Sequence, residues 1–124
     1  MEFKTLVYHG TSYSNWKDII RFNCLFPVTK IRYMNRILYG ISTSRSKLYS
    51  SKIWRKRKLD KDANQQPWVV ITLNLDRIKE THKAMPINYQ VCNNLNFNEI
   101  DEMEEFIIGR LYPLDYFIEN VDFL

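Results

Sequence analysis

Glycine is scarce in this chain, with three residues in 124, at positions 10, 40 and 109. No glycine-rich turn joins a strand to a helix, which argues against a Rossmann or P-loop phosphate cradle. There are two cysteines, Cys24 and Cys92, far apart in sequence. They supply no disulfide framework, and the expectation is two buried thiols in a reducing compartment. The two histidines, His9 and His82, stand in no ligand spacing with the cysteines, so no metal is expected. No apolar run approaches the roughly 18 to 20 residues of a membrane span. The N-terminal Met1-Glu2-Phe3-Lys4 lacks the basic and then apolar pattern of a signal peptide. The expected setting is the cytoplasm, with no membrane partner.

A hydrophobic content of 45% with 15% aromatics can supply a core, and 124 residues suffice for one domain, residues 1–124. The net charge of +4 hides an asymmetry. Residues 1–62 hold 14 Lys/Arg against 4 Asp/Glu, a balance of +10. Residues 63–124 hold 4 against 10, a balance of −6. A basic region of this kind attracts polyanions, dinucleotides and nucleic acids among them.

Phe3 to Tyr8 is rich in β-formers and reads as a first strand. Ser14 is a plausible cap for a helix whose apolar face is Trp16, Ile19 and Ile20, with Asn23 as its stop. Residues 26–36 read as a loop, and Ile37 to Ile41 as a short strand. Ser42-Thr43-Ser44 reads as the cap of a helix from Arg45 to Arg57. Trp68 to Leu75 is the clearest strand, and Asp76 to Glu80 one helical turn. A loop at Asn93–Asn98, a buried strand at Phe106–Ile108 and a last strand at Ile118–Phe123 complete the reading. With the better helices early and most strands late, the pattern fits α+β rather than alternating βαβ.

The residues that carry chemistry begin with Tyr8-His9-Gly10-Thr11. A histidine at a strand end can hydrogen-bond a sugar hydroxyl, and a following glycine lets a ligand approach the backbone. Tyr39-Gly40-Ile41-Ser42-Thr43-Ser44 comes next, then Tyr49, and late in the chain Glu102-Met103-Glu104-Glu105-Phe106-Ile107-Ile108-Gly109. In this order the segments resemble the ADP-ribosyltransferase superfamily. The chain is most similar to the diphtheria-toxin-like, poly(ADP-ribose) polymerase-like branch. The Ser-Thr-Ser run is similar to the cholera-toxin-like branch, and Ser42 stands where the first branch has a tyrosine.

The resemblance implies a split antiparallel β-sheet with flanking short helices, NAD as co-substrate, and a mono-ADP-ribosyltransferase. By the same resemblance His9 binds the adenosine-side ribose and Gly10 offers its backbone to the nicotinamide carboxamide. Tyr8 and Thr11 flank that pair, Ser42, Thr43 and Ser44 shape the pocket, and Tyr49 stacks on nicotinamide. Glu105 is the catalytic glutamate, with Glu104 as the alternative register. Breaking the nicotinamide–ribose bond develops positive charge on the ribose, which a carboxylate stabilises. By analogy the chain is a small phage- or toxin-type effector, acting in a host cytoplasm on a protein target.

Other readings stay open. The acidic residues around Glu104 also read as a solvated edge. Arg45 to Lys61 interleaves basic residues, Lys52, Arg55, Lys56, Arg57 and Lys58 among them, with Tyr49 and Trp54. That mixture reads as a nucleic-acid or partner-binding segment, or as a solvated helix face. A binding module with weakened catalysis, an RNA-directed transferase and an inhibitor that needs no NAD are therefore alternatives. His82, in a polar stretch, reads as a surface residue.

Overall fold

A computed structural model describes residues 4–47, 67–87 and 104–124. The described residues form an α+β fold built on a mostly antiparallel sheet with two helices. Tyr49, the basic cluster from Lys52 to Lys58, Cys92 and the loop at Asn93–Asn98 lie outside them.

Strand β1 (Leu6–Ser12) runs further than its β-rich start suggests and passes directly into helix α1 (Tyr13–Phe22). Ser12, not Ser14, is the cap: its side chain accepts from the Asn15 amide at 3.3 Å. Such a cap stabilises a helix by about 1 kcal/mol. Trp16 and Ile19 bury the inner face, whereas Ile20 turns outward and is 55% exposed. Asn23 ends the helix in the left-handed region (φ 48°), as its sequence position predicts.

The expected loop at 26–36 contains strand β2 (Thr29–Tyr33), which pairs with β3 (Arg36–Ser44). Met34 and Asn35 turn the hairpin, both at positive φ (49° and 63°), as a tight primed turn requires. Ser42, Thr43 and Ser44 lie inside β3 and do not open a helix there. Each pairs with β6 on one edge, so backbone pairing overrides the capping tendency of small hydroxyl residues.

Strand β4 (Trp68–Asn74) sits between β1 and β7 (Ile118–Phe123) and is buried on both faces. Asn74 then caps α2 (Leu75–Thr81), a longer helix than the single turn expected. Strands β5 (Ala84–Ile87) and β6 (Glu104–Ile108) complete the order β5-β6-β3-β1-β4-β7, with β2 as an extra partner of β3. Val7, Ile41, Val69, Ile71, Leu73 and Ile107 form the core on one sheet face, against Trp16 and Ile19 of α1. Phe106 and Ile31 pack on the opposite face.

Candidate functional site

The site follows from how β3 shares its edges. Gly40 pairs with Thr29 of β2 and with Ile108 of β6, so those two strands lie on opposite edges of β3. Ser44 pairs with Glu104 of β6 and with Tyr8 of β1. Strands β1 and β2 therefore share one edge of β3, separated along Ile41–Thr43. The sheet splits at that point. The His9 side chain spans the split, with its Nδ1–H donating to the Ser42 carbonyl at 2.7 Å. In the neutral ring, that bond selects the tautomer in which Nε2 is the acceptor.

A cleft of about 630 Å³ opens where the strands part, within the range of small-molecule sites. His9, Gly10 and Thr11 from β1, Thr29 from β2 and Ser42 from β3 line its floor. Asn15, Asp18 and Phe22 of α1, with Phe26 beyond it, form a wall. Phe22 and Phe26 meet edge to face, with ring centroids 6.0 Å apart. The Thr29 hydroxyl donates to Ser42 Oγ at 3.4 Å across the floor.

Tyr8 pairs with Ser44, and directly paired residues share a sheet face. By alternation His9 lies on the other face, with Thr43 and, opposite Thr43, Glu105. Two strand spacings separate His9 from Glu105, about 10 Å. Glu105 does not line the cleft itself. Tyr8, Ser44 and Glu104 share the face opposite His9. Of the two neighbouring glutamates, Glu105 is thus the one on the His9 side.

Neither glutamate belongs to a solvated edge: both are 1% exposed in the interior of the sheet. Glu105 Oε1 accepts from Arg45 Nη2 at 2.6 Å, while Oε2 has no hydrogen-bond partner among the described residues. The Thr43 hydroxyl donates to the Glu105 carbonyl at 2.7 Å and ties the two strands at that level. Ser44 Oγ turns away from the cleft and accepts from the Ser46 amide at 2.9 Å.

Sequence reasoning missed Thr29 and the wall formed by Phe22 and Phe26, and read Arg45 only as the start of the basic segment, not as the partner of Glu105. A signal for Thr29 existed. Thr29-Lys30-Ile31-Arg32-Tyr33 alternates charge with β-formers, as a half-exposed strand does. His82 is another correction, because it is half-buried rather than a plain surface residue. Its Nε2–H donates to the Arg110 carbonyl at 2.5 Å, Nδ1 lies 2.8 Å from Thr81 Oγ1, and the ring meets Phe117 edge-on. Cys24 is buried, and that burial raises its thiol pKa, with Arg110 opposing the shift.

Among the described residues, no three His, Cys, Asp or Glu side chains gather as a metal-holding group. No helix among them is long and apolar enough to cross a membrane. Comparison with known families, curated proteins and solved structures gives no match.

Proposed function

We propose that the chain is an NAD-dependent mono-ADP-ribosyltransferase whose cleft lies at the split between β1 and β2. One observation carries the reading. Three segments far apart in sequence, around His9, Thr29 and Ser42, meet in a cleft, and of these His9 shares its sheet face with a buried carboxylate, Glu105.

The donor set fits a dinucleotide. His9 Nε2 accepts a hydrogen bond from a ribose hydroxyl, and the Gly10 backbone has no side chain to keep a carboxamide away. The aromatic wall of Phe22 and Phe26 offers a face to a planar base. On this reading Glu105, on the His9 face but outside the cleft lining, supplies negative charge toward the ribose as it becomes positive, and burial strengthens that interaction. By analogy the acceptor is a protein target, in the manner of a phage or toxin effector.

The test is transfer of label from adenylate-labelled NAD into lysate macromolecules by the purified full chain. Glu105→Gln is expected to keep NAD binding and to lose roughly 10²-fold or more of turnover. Absence of both NAD binding and NAD consumption by the wild type would remove the reading.

A second reading is favoured by the Arg45–Glu105 contact, which occupies one oxygen of the carboxylate. On it the fold is a binding module of weak catalysis that holds a nucleic acid or a partner protein through residues 45–61. It predicts NAD binding without turnover, and loss of macromolecular binding when Arg55, Lys56, Arg57 and Lys58 are neutralised.

A further inference from the structure

The β2–β3 hairpin projects past the split, with one face left uncovered by the described residues. Lys30 stands opposite Tyr39, and Arg32 opposite Ile37, so these four side chains share a face. All four are exposed, Tyr39 at 56% and Ile37 at 53%. By alternation along β3 this face continues into the one that carries Ile41 and Thr43, the face of His9 and Glu105. No Asp or Glu occurs between Asp18 and Asp60, so the hairpin sequence contains no carboxylate to neutralise its cations.

We propose that this hairpin face binds single-stranded nucleic acid. Lys30 and Arg32 are spaced two residues apart on one strand and match a run of phosphates. Tyr39, directly across from Lys30, offers an exposed ring on which a base stacks, and Ile37 extends that apolar platform. A ring beside cations fits a strand with free bases better than a duplex, whose bases are already stacked. It also fits nucleic acid better than an acidic protein, which offers charge but no row of planar rings. The proposal does not rest on NAD chemistry in the cleft. It rests on residues other than 45–61.

The experiment is fluorescence anisotropy of the full chain with labelled 20-nucleotide single strands, RNA and DNA, across a salt series. A duplex of equal length and poly-glutamate serve as competitors. Lys30→Gln/Arg32→Gln is expected to weaken binding at least tenfold and to flatten the salt slope by about 1.4, two phosphate contacts' worth. Tyr39→Ala is expected to weaken binding about 5- to 100-fold with the salt slope unchanged. These side chains are exposed, and far-ultraviolet circular dichroism of the variants checks that the fold survives. Three results would overturn the proposal: no single-strand binding at low salt; binding abolished by neutralising Arg55 to Lys58 but untouched by the hairpin changes; or poly-glutamate competing as well as the oligonucleotide at equal charge. The last would mark the face as a dock for acidic protein.

Discussion

Arg45 and Glu105 form an ion pair of unequal halves, 2.6 Å apart: the Arg45 side chain is 49% exposed and the Glu105 side chain 2%. The pair joins the end of β3 to the start of β6, where Ser44 faces Glu104 and Thr43 faces Glu105. A charge buried this deeply costs several kcal/mol unless it is compensated. Arg45 is the cation that compensates it while keeping contact with solvent.

Arg45→Ala is therefore expected to destabilise the protein by roughly 1–3 kcal/mol. This is less than for a fully buried pair, because solvent screens the exposed partner. Glu105→Gln removes the charge that needed Arg45, so Arg45→Ala in that background should cost much less. Urea unfolding of the four proteins in a double-mutant cycle checks this. Equal costs of Arg45→Ala in both backgrounds would mean that the pair contributes nothing.

Gly40 is the residue of β3 flanked by both β2 and β6, and it has no room for a side chain. A Cβ there would meet the Ile107 carbonyl oxygen at 2.3 Å and Phe106 Cζ at 2.5 Å. A sheet carbonyl cannot step aside without breaking its ladder. Gly40→Ala is expected to cost about 2–3 kcal/mol through overpacking. The chemical denaturation midpoint checks it. An unchanged midpoint would show that β3 and β6 can separate freely at this level.

The His9–Ser42 bond gives a separate expectation. His9→Ala leaves the Ser42 carbonyl without the imidazole donor in a part-buried split, at a cost of about 1–2 kcal/mol. His9→Asn retains a donor and is expected to recover part of that stability; on the proposed function, NAD binding recovers less. Thermal unfolding and calorimetric titration with NAD, run on both variants, separate the two effects. Equal stability of Ala and wild type would remove His9 as the brace of the split.

What was legible in the sequence was whatever a single segment decides for itself. Trp68–Asn74 is an unbroken run of buried residues, and its strand was readable without knowing its neighbours. Asn23 was readable as a helix stop because its left-handed conformation is a local preference. Residues decided by partners were not readable. Ser42 to Ser44 resemble a helix cap until β6 pairs with them. Lys30 and Arg32 disguised β2, because an edge strand with one solvent face tolerates cations. Glu104 and Glu105 stood out as catalytic candidates, but a solvated edge stayed open as the other reading, because no local rule places two adjacent carboxylates inside a sheet. His9 was singled out from the start, yet the split it braces depends on β2, the strand that went unread.

Glu119 supplies the pH expectation. Its carboxylate accepts from Asn74 Nδ2 at 2.9 Å and from Lys4 Nζ at 3.1 Å, and these bonds lower its pKa below the usual carboxylate value, with burial opposing them. A depressed folded-state pKa means that the unfolded chain takes up the proton first as pH falls. The stabilising contribution is therefore fully present above the ordinary carboxylate pKa of about 4.5 and is lost as pH drops through the lower folded value. At neutral pH Glu119→Gln should be less stable than wild type, since the ionised acceptor for both donors is gone. Below the carboxylate range the two should converge. Urea midpoints of both proteins at steps from pH 7 to pH 3 test the sign. A difference that grows toward acid would mean that the ionised Glu119 does not favour the folded state.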